Sequence, residues 1–311
     1  IEIKTKLLRW GNSFGVVVPM SKLQNTNLRE EFHRALDEVI DTNVLIRGPI
    51  LEKFEKNFAN FTGKKYAVGV KSGAAALLLS LMASDLNSTD EIITVSHTFI
   101  GTSEGRKYVN AKIKFVDIDE KTYNMDVSKL ENLITKNTKV IIPVHLYGNP
   151  CDMDPILNIA KEYNIKVIED CAQSHGAEYK GRRTPITDVG CFSFFPAKIL
   201  GTLGDSGAVV TDDEYFKEKI ESLRDHGRKK GSKYEHDVEG LNERLDPLHA
   251  AILDVKLKYL NGWIENRRKI ASLYDEKLKD TGIITPYIEE NNKSAYYMYV
   301  IRTGNRDALK E

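Results

Sequence analysis

Three short stretches of this chain combine residue types that can do chemistry. Lys198 is the only cation in the 23 residues 189–211 (VGCFSFFPAKILGTLGDSGAVVT), a run otherwise built of apolar, Gly, Ser and Thr residues with Asp205. Lysine is costly to desolvate, and a partly buried ammonium has a lowered pKa that makes it a nucleophilic amine able to form a Schiff base. The alternative is a loop lysine whose head reaches water. In KVIEDCAQSHGA a strand-like run ends in two carboxylates, Glu169 and Asp170, with Gln173 and His175 close behind. An acid there can bind a metal, orient a polar ligand or cap the next element, and the local Asp, Cys and His residues show no metal-ligand spacing. No metal site is expected. In YAVGVKSGAAALLL a strand runs through Ser72 and Gly73 into a helix beginning near Ala74. That junction aims free backbone N–H groups and the positive end of a helix dipole at one point, which suits a phosphate. The Ser72 hydroxyl is expected to add a contact, and the stretch is not a P-loop, since it lacks Gly-Lys followed by Ser or Thr.

Together the three are more specific than any one of them. A phosphate cradle, a strand-end acid and a lysine 28 residues after it, at 198 against 170, supply the three contacts pyridoxal phosphate needs, at its phosphate, ring nitrogen and aldehyde.

The order of these stretches, with GPILEKFEKNFANFTGKKYAV, EIITVSHTFIGT, KVIIPVHLYGNPCDMDPI, LRDHG, LNERLDPLHAAIL and SAYYMYVIR, resembles the DegT/DnrJ/EryC1/StrS aminotransferases over residues 25–311. The resemblance implies a fold-type I transferase dependent on pyridoxal 5'-phosphate. Such an enzyme moves an amino group from an amino acid, L-glutamate above all, to a nucleotide-linked keto-sugar in amino-sugar or cell-surface polysaccharide biosynthesis. Carried over by residue, it implies that Lys198 is the Schiff-base lysine and proton shuttle and that Asp170 keeps the ring nitrogen protonated. Gln173 lies near the ring and its 3-hydroxyl, and Phe99 stacks on the ring face. Ser193, Gly73 and the N–H of Ala74 hold the phosphate. Asn242 reaches the phosphate of a neighbouring subunit, so a homodimer with shared sites is implied. Without the resemblance, Phe99 reads as core, Ser193 as a strand hydroxyl and Asn242 as a turn residue. His97, His145, His175 and His226 are read as structural. Two departures stand out. Gly73 is followed by Ala74 where the family commonly has Thr, and the chain stops at Glu311, where the family completes a small domain. Exposed strand edges are therefore expected there. The dehydratase branch carries His in place of the lysine, so Lys198 favours amination.

The elements that must position these groups follow from periodicity. Val- and Ile-rich runs (YAVGVK, EIITV, KIKFVDI, KVIIPVHLYG, KVIED, VGCFSFF, GAVVT) alternate with helical text, which argues for an α/β fold with a largely parallel, doubly wound sheet and helices on both faces. Ligands bind beyond the carboxyl ends of such strands. Leu28, Phe32, Leu36 and Ile40 form one apolar helical stripe. Charged helices take over after Asp212, and SAYYMYVIRTG returns to strand texture. The expected organisation is a hairpin segment over 1–24, a large cofactor-binding domain over 25–245 and a partial small C-terminal α/β domain over 246–311. Residues 1–19 resemble half of an AbrB/MazE-like swapped-hairpin module, with the seam near Met20. A DNA-binding or antitoxin-like regulator acting through Lys6 and Arg9 is the competing reading, and an inactive aminotransferase-like fragment is a third.

Composition bounds these readings. Lys and Arg total 45 against 45 Asp and Glu, and a net charge of zero makes nucleic acid an unlikely main partner. The longest apolar-rich stretch, 73–83, is short of the roughly 18 residues of a membrane span, and the first residues lack a secretory pattern. A cytoplasmic enzyme is expected, with Cys151, Cys171 and Cys191 as reduced thiols.

Overall fold

The computed structural model describes residues 6–10, 13–17 and 20–304, with side chains from Gln24 onward. The side chains of Lys6 and Arg9 and the remainder of the 1–19 segment lie outside the described residues.

The chain opens with β1 (Lys6–Trp10) and β2 (Ser13–Val17), paired antiparallel, and α1 (Met20–Asn27). Then come α2 (Arg29–Thr42), α3 (Pro49–Thr62), β3 (Tyr66–Val70), α4 (Gly73–Met82) and β4 (Glu91–Val95). Short helices α5 (Gly101–Glu104) and α6 (Arg106–Val109) lead to β5 (Lys112–Val116) and α7 (Val127–Leu130). Next are β6 (Thr138–Ile142), α8 (Met153–Glu162), β7 (Lys166–Asp170) and a two-residue ladder of β8 (Glu178–Tyr179) with β9 (Arg182–Arg183). The chain continues through β10 (Val189–Ser193), β11 (Gly207–Thr211), α9 (Glu214–Leu223), α10 (Pro247–Leu257), α11 (Leu260–Leu278) and β12 (Tyr299–Ile301).

Seven strands form the central sheet in the order β3-β11-β10-β7-β6-β4-β5. The ladders from β10 through β7, β6 and β4 to β5 are parallel, and β11 runs antiparallel to both of its neighbours. Successive side chains on a strand point to opposite faces, and the cores divide accordingly. Cys191 and Val209 pack with Leu77, Leu79, Phe216 and Ile220 of α4 and α9. Phe192, Ala208 and Val210 pack on the other face with Phe54, Phe58 and Leu253 of α3 and α10. Both faces of the sheet are thus covered, which is why its strands read as nearly unbroken apolar runs. No described helix is long and apolar enough to cross a membrane.

One stripe residue departs from expectation. Leu28 and Phe32 are buried against Ile252 and Val255, but Ile40 is exposed and Val39 is buried in its place. At about 100° per residue, position 39 lies only about 20° from Phe32, whereas 40 lies about 80° away. A strict spacing of four overshoots the buried face. At the expected open edge, β12 pairs antiparallel with β2 on one side, Val300 opposite Gly15, and forms the edge of a three-stranded sheet ordered β1-β2-β12 on the other.

Candidate active site

The candidate groups converge at one end of the sheet, where β3, β10 and β7 finish and β11, between β3 and β10, begins. Register places Cys191 of β10 beside Asp170 of β7, Ser193 beside Gly207, and Gly207 beside Val70 of β3. The turn leaving β3, the last residues of β10 and the acid ending β7 are therefore adjacent although far apart in sequence.

Lys198 sits in a tight loop beyond β10. Its N–H donates to the Phe195 carbonyl at 2.8 Å, and the Thr202 N–H closes the loop on the Phe194 carbonyl at 2.9 Å. The ammonium lies 4.5 Å from the centre of the Tyr297 ring. Burial pushes the lysine down to about 8, with the Asp170 carboxylate pulling weakly the other way. Lys198 is half-buried, the partly desolvated amine that the composition of 189–211 implies. About a tenth of such an amine is uncharged at pH 7.

The two acids of KVIED separate cleanly. Glu169 is fully buried and accepts from the backbone N–H groups of Ile186 and Thr187 and from His145 Nε2, the last at 2.7 Å. His145 Nδ1 accepts from the Cys151 N–H at 3.0 Å, so Nε2 carries the proton. His145, Glu169 and Cys171 bring their ligand atoms within 4.8 Å of one another. The carboxylate and imidazole of that set are already committed to these hydrogen bonds. Asp170 faces the cleft. It accepts from Thr102 Oγ1 at 2.8 Å and from the Ala172 N–H at 3.1 Å, and burial raises its pKa. With Thr102's proton given to Asp170, Thr98 is the donor in its 2.8 Å contact with Thr102. A buried carboxylate so held is suited to a cationic partner such as a protonated ring nitrogen.

Gln173 is buried, and its amide oxygen accepts from the Tyr147 N–H at 2.7 Å. Its NH2 is therefore the group it can offer a ligand. Tyr147 holds φ 60° and Gly148 φ 91°, and a Cβ on Gly148 would lie 3.0 Å from the N atoms of Tyr296 and Tyr297. The glycine lets the HLYG turn approach the segment that delivers Tyr297.

The candidate phosphate cradle is built by close backbone approach. A Cβ on Gly73 would lie 2.6 Å from Ser193 Cβ, and one on Gly207 would lie 2.4 Å from Ser72 C and O. Gly73 and Ala74 head α4, where the helix supplies no acceptors for their N–H groups. Ser72 caps α4, its Oγ accepting from the Ala75 N–H at 3.0 Å. That use of Ser72 was not anticipated: its oxygen positions the helix, leaving only its O–H for a ligand. Ser193 Oγ accepts weakly from the Phe195 N–H at 3.4 Å. Phe99 is 62 % exposed, so it is not core, and its ring packs beside Gly101, whose Cβ direction points toward Ala74. The ring thus stands next to the head of α4. Asn242 is exposed, on a segment bridged to Asp225 and held by Arg244 Nη1 donating to Asp225 Oδ1 at 2.7 Å. It faces solvent and does not join the other groups within one chain.

Sequence reasoning missed Tyr297, Thr102 and Tyr147. Thr102 stands three residues after Phe99 in a motif already singled out, and the aromatic repeat in SAYYMYV was the signal for Tyr297. His175 is buried between the Phe192 and Phe194 rings, with burial holding it at about 3, so it is neutral. A groove of about 1300 Å³ lined by Asp85, Tyr108, Glu218, Lys219 and Lys230 contains none of the convergent groups. Lys219 and Lys230 there are paired with acids, Lys219 with Asp85 and Lys230 with Glu218.

Residues 26–311 match the DegT/DnrJ/EryC1/StrS aminotransferase family. The chain belongs to this family. It is 42% identical over 290 residues, 93% of the chain and 80% of the relative, to UDP-2-acetamido-2-deoxy-3-oxo-D-glucuronate aminotransferase of Pseudomonas aeruginosa. Among solved structures, DesV of S. venezuelae superposes with a TM-score of 0.90 at 37% identity, over 93% of this chain and 78% of that one. NtdA from Bacillus subtilis, solved with bound cofactor PMP, superposes at 0.85 with 30% identity, over 99% of this chain and 71% of that one.

Proposed function

We propose that this family member is a pyridoxal-phosphate-dependent aminotransferase that moves an amino group from an amino acid, with L-glutamate as donor, to a nucleotide-linked keto-sugar. The observation that carries the reading is the convergence of a desolvated Lys198, a buried Asp170 facing the same cleft, and the Gly73–Ser193 cradle. The substrate class rests on the name of the Pseudomonas aeruginosa relative, and the cofactor on the fit of these groups and the PMP bound to NtdA.

The residues fit the group one by one. The N–H groups of Gly73 and Ala74 and the Ser193 hydroxyl would hold the phosphate, in a cradle too tight for a Cβ at position 73. Asp170, oriented by Thr102, would hold a proton on the ring nitrogen. Gln173 would meet the ring's oxygen through its NH2, and Phe99 would cover a ring face. Bound there, pyridoxal phosphate supplies an electron sink for the substrate's amine-bearing carbon. Lys198 would hold the cofactor at its aldehyde end, and its amine would take up and return the proton at the substrate's amine-bearing carbon. Asp170, held by Thr102, would keep its negative charge fixed opposite the ring nitrogen.

The exposure of Asn242, together with exposed Phe99, Ile100, Phe195 and Leu203 around the cleft, supports a homodimer in which Asn242 serves the partner's phosphate. Each apolar group left open would then be covered by the second copy. The whole reading is tested by half-reactions with L-glutamate and candidate UDP- and dTDP-keto-sugars, for the chain and for Lys198→Ala. Amino transfer is expected from the first and none from the second. Equal turnover by both would reject it.

A further inference from the structure

Lys256 of α10 is fully buried, and no carboxylate among the described residues lies within ion-pair reach of it. Its ammonium donates to the Gly201 carbonyl and to Asn25 Oδ1, the latter at 3.2 Å, and lies 5.8 Å from the centre of the Trp263 ring. An ammonium buried without a counter-ion is expensive, and burial pushes this one down to about 8. Apolar neighbours alone would be better served by a leucine or methionine. What the lysine adds is a hydrogen bond to one particular carbonyl.

That carbonyl belongs to the loop of Lys198. A Cβ on Gly201 would lie 2.6 Å from the Pro196 carbonyl oxygen and 2.7 Å from that of Phe195, so the loop from 195 to 201 folds back on its own backbone. Its two internal bonds, Lys198 N–H to Phe195 and Thr202 N–H to Phe194, fix its shape. Neither fixes the direction in which the shaped loop presents its lysine. Lys256, tied to α1 through Asn25 and to α11 through Trp263, grips the loop from behind.

We infer that Lys256 is a positioning residue, whose buried ammonium anchors the Gly201 carbonyl and so holds the Lys198 loop with its amine in the desolvated cleft. The inference rests on the aminotransferase reading only for the use of that amine; the anchoring itself is a property of the protein alone. If the anchor is lost, the loop loosens, water reaches Lys198, and the amine returns toward the ordinary lysine range of about 10.4. The groups facing Lys198 are Asp170 from β7, His175 from the turn beyond it and Tyr297 before β12. Asp170 and Tyr297 favour the charged amine, so drawing away from them would lower its pKa, and the upward shift expected is what regained water contributes beyond that loss.

The test uses the full chain without added cofactor. Lys198 acetylation by acetic anhydride is followed against pH by peptide mass spectrometry, for the parent chain, Lys256→Met and, as a control for lost packing on the same helix, Leu253→Ala. Pyridoxal phosphate capture is measured separately by absorbance. In Lys256→Met the Lys198 titration should move up by at least one pH unit and cofactor capture should fall about tenfold, whereas Leu253→Ala should melt lower with the titration unmoved. Should Lys256→Met not fold, Asn25→Leu, which removes only one side of the anchor, should give a smaller upward shift. An unmoved titration in a folded Lys256→Met or Asn25→Leu, or an equal shift in Leu253→Ala, overturns the inference. A shifted titration in a chain that never captures pyridoxal phosphate leaves the anchor standing and rejects the cofactor reading instead.

Discussion

Replacing Tyr297 with leucine takes away the aromatic face beside the Lys198 ammonium while keeping an apolar group of similar reach. The ring centre lies 4.5 Å from Nζ, inside the roughly 6 Å over which a cation is drawn to a ring face. For a desolvated pair that attraction is worth about 1 to 2 kcal/mol, all of it to the charged form. One pKa unit corresponds to about 1.36 kcal/mol, so the lysine should fall by about 0.7 to 1.5 units. Starting from about 8, the uncharged fraction at pH 7 would rise from about a tenth to between about a third and three quarters. Asp170 still opposes the fall and His175 stays neutral at that pH, so neither cancels the effect. Labelling of Lys198 by an amine-directed reagent across pH 5 to 10 reads the titration directly. A titration that stays in place or moves up in Tyr297→Leu would refute the argument that the ring holds the charged amine.

Further outcomes follow from the same geometry. Gly73→Ala sets a Cβ 2.6 Å from Ser193 Cβ; overpacking of about 1 to 3 kcal/mol should weaken pyridoxal phosphate binding by roughly 5- to 150-fold while pyridoxal itself loses less, as absorbance titrations will show. Asp170 has a folded pKa raised by burial, so its ionised form costs stability above the unfolded value. Asp170→Asn should therefore melt at or above the parent at pH 7 without cofactor, with the difference vanishing below about pH 4, yet transfer no amino group. His175 is depressed from 6.5 to about 3 by burial, so its stabilising share is complete above 6.5 and is lost as pH falls from 6.5 toward 3. His175→Leu should flatten the drop in urea midpoint over that window, and an unchanged slope would show that this histidine is not what makes the fold acid-sensitive.

Much of the site was legible because its chemistry depends on residue types in sequence order. A lone lysine in an apolar run, an acid ending a strand and a glycine between strand and helix each leave a mark in one dimension. The fold was legible for the same reason: strands buried on both faces read as Val and Ile runs, and β11 betrayed its reversed direction nowhere, because an antiparallel strand inside a buried sheet carries the same composition. What stayed hidden were partners made by tertiary contact. Nothing near Lys198 in sequence announces Tyr297, which arrives from 99 positions away (297 against 198), nor Lys256 gripping Gly201 from another helix. The capping role of Ser72, whose oxygen accepts from the Ala75 N–H while its O–H is left to donate, was hidden because one hydroxyl at a helix head suits a cap and a ligand contact equally in sequence. Glu169 and Asp170 could be told apart only by the alternation of strand faces, one turned to His145 and the other to Thr102.

The central claim is that Lys198 is the residue that bonds the cofactor. The direct measurement is to incubate the full chain with pyridoxal phosphate, reduce it with borohydride, digest it and locate the pyridoxyl group by mass spectrometry. A single modified lysine at 198, lost in Lys198→Ala, is the predicted result. A pyridoxyl group fixed at Lys256 or at surface lysines, with Lys198 recovered unmodified, would contradict it.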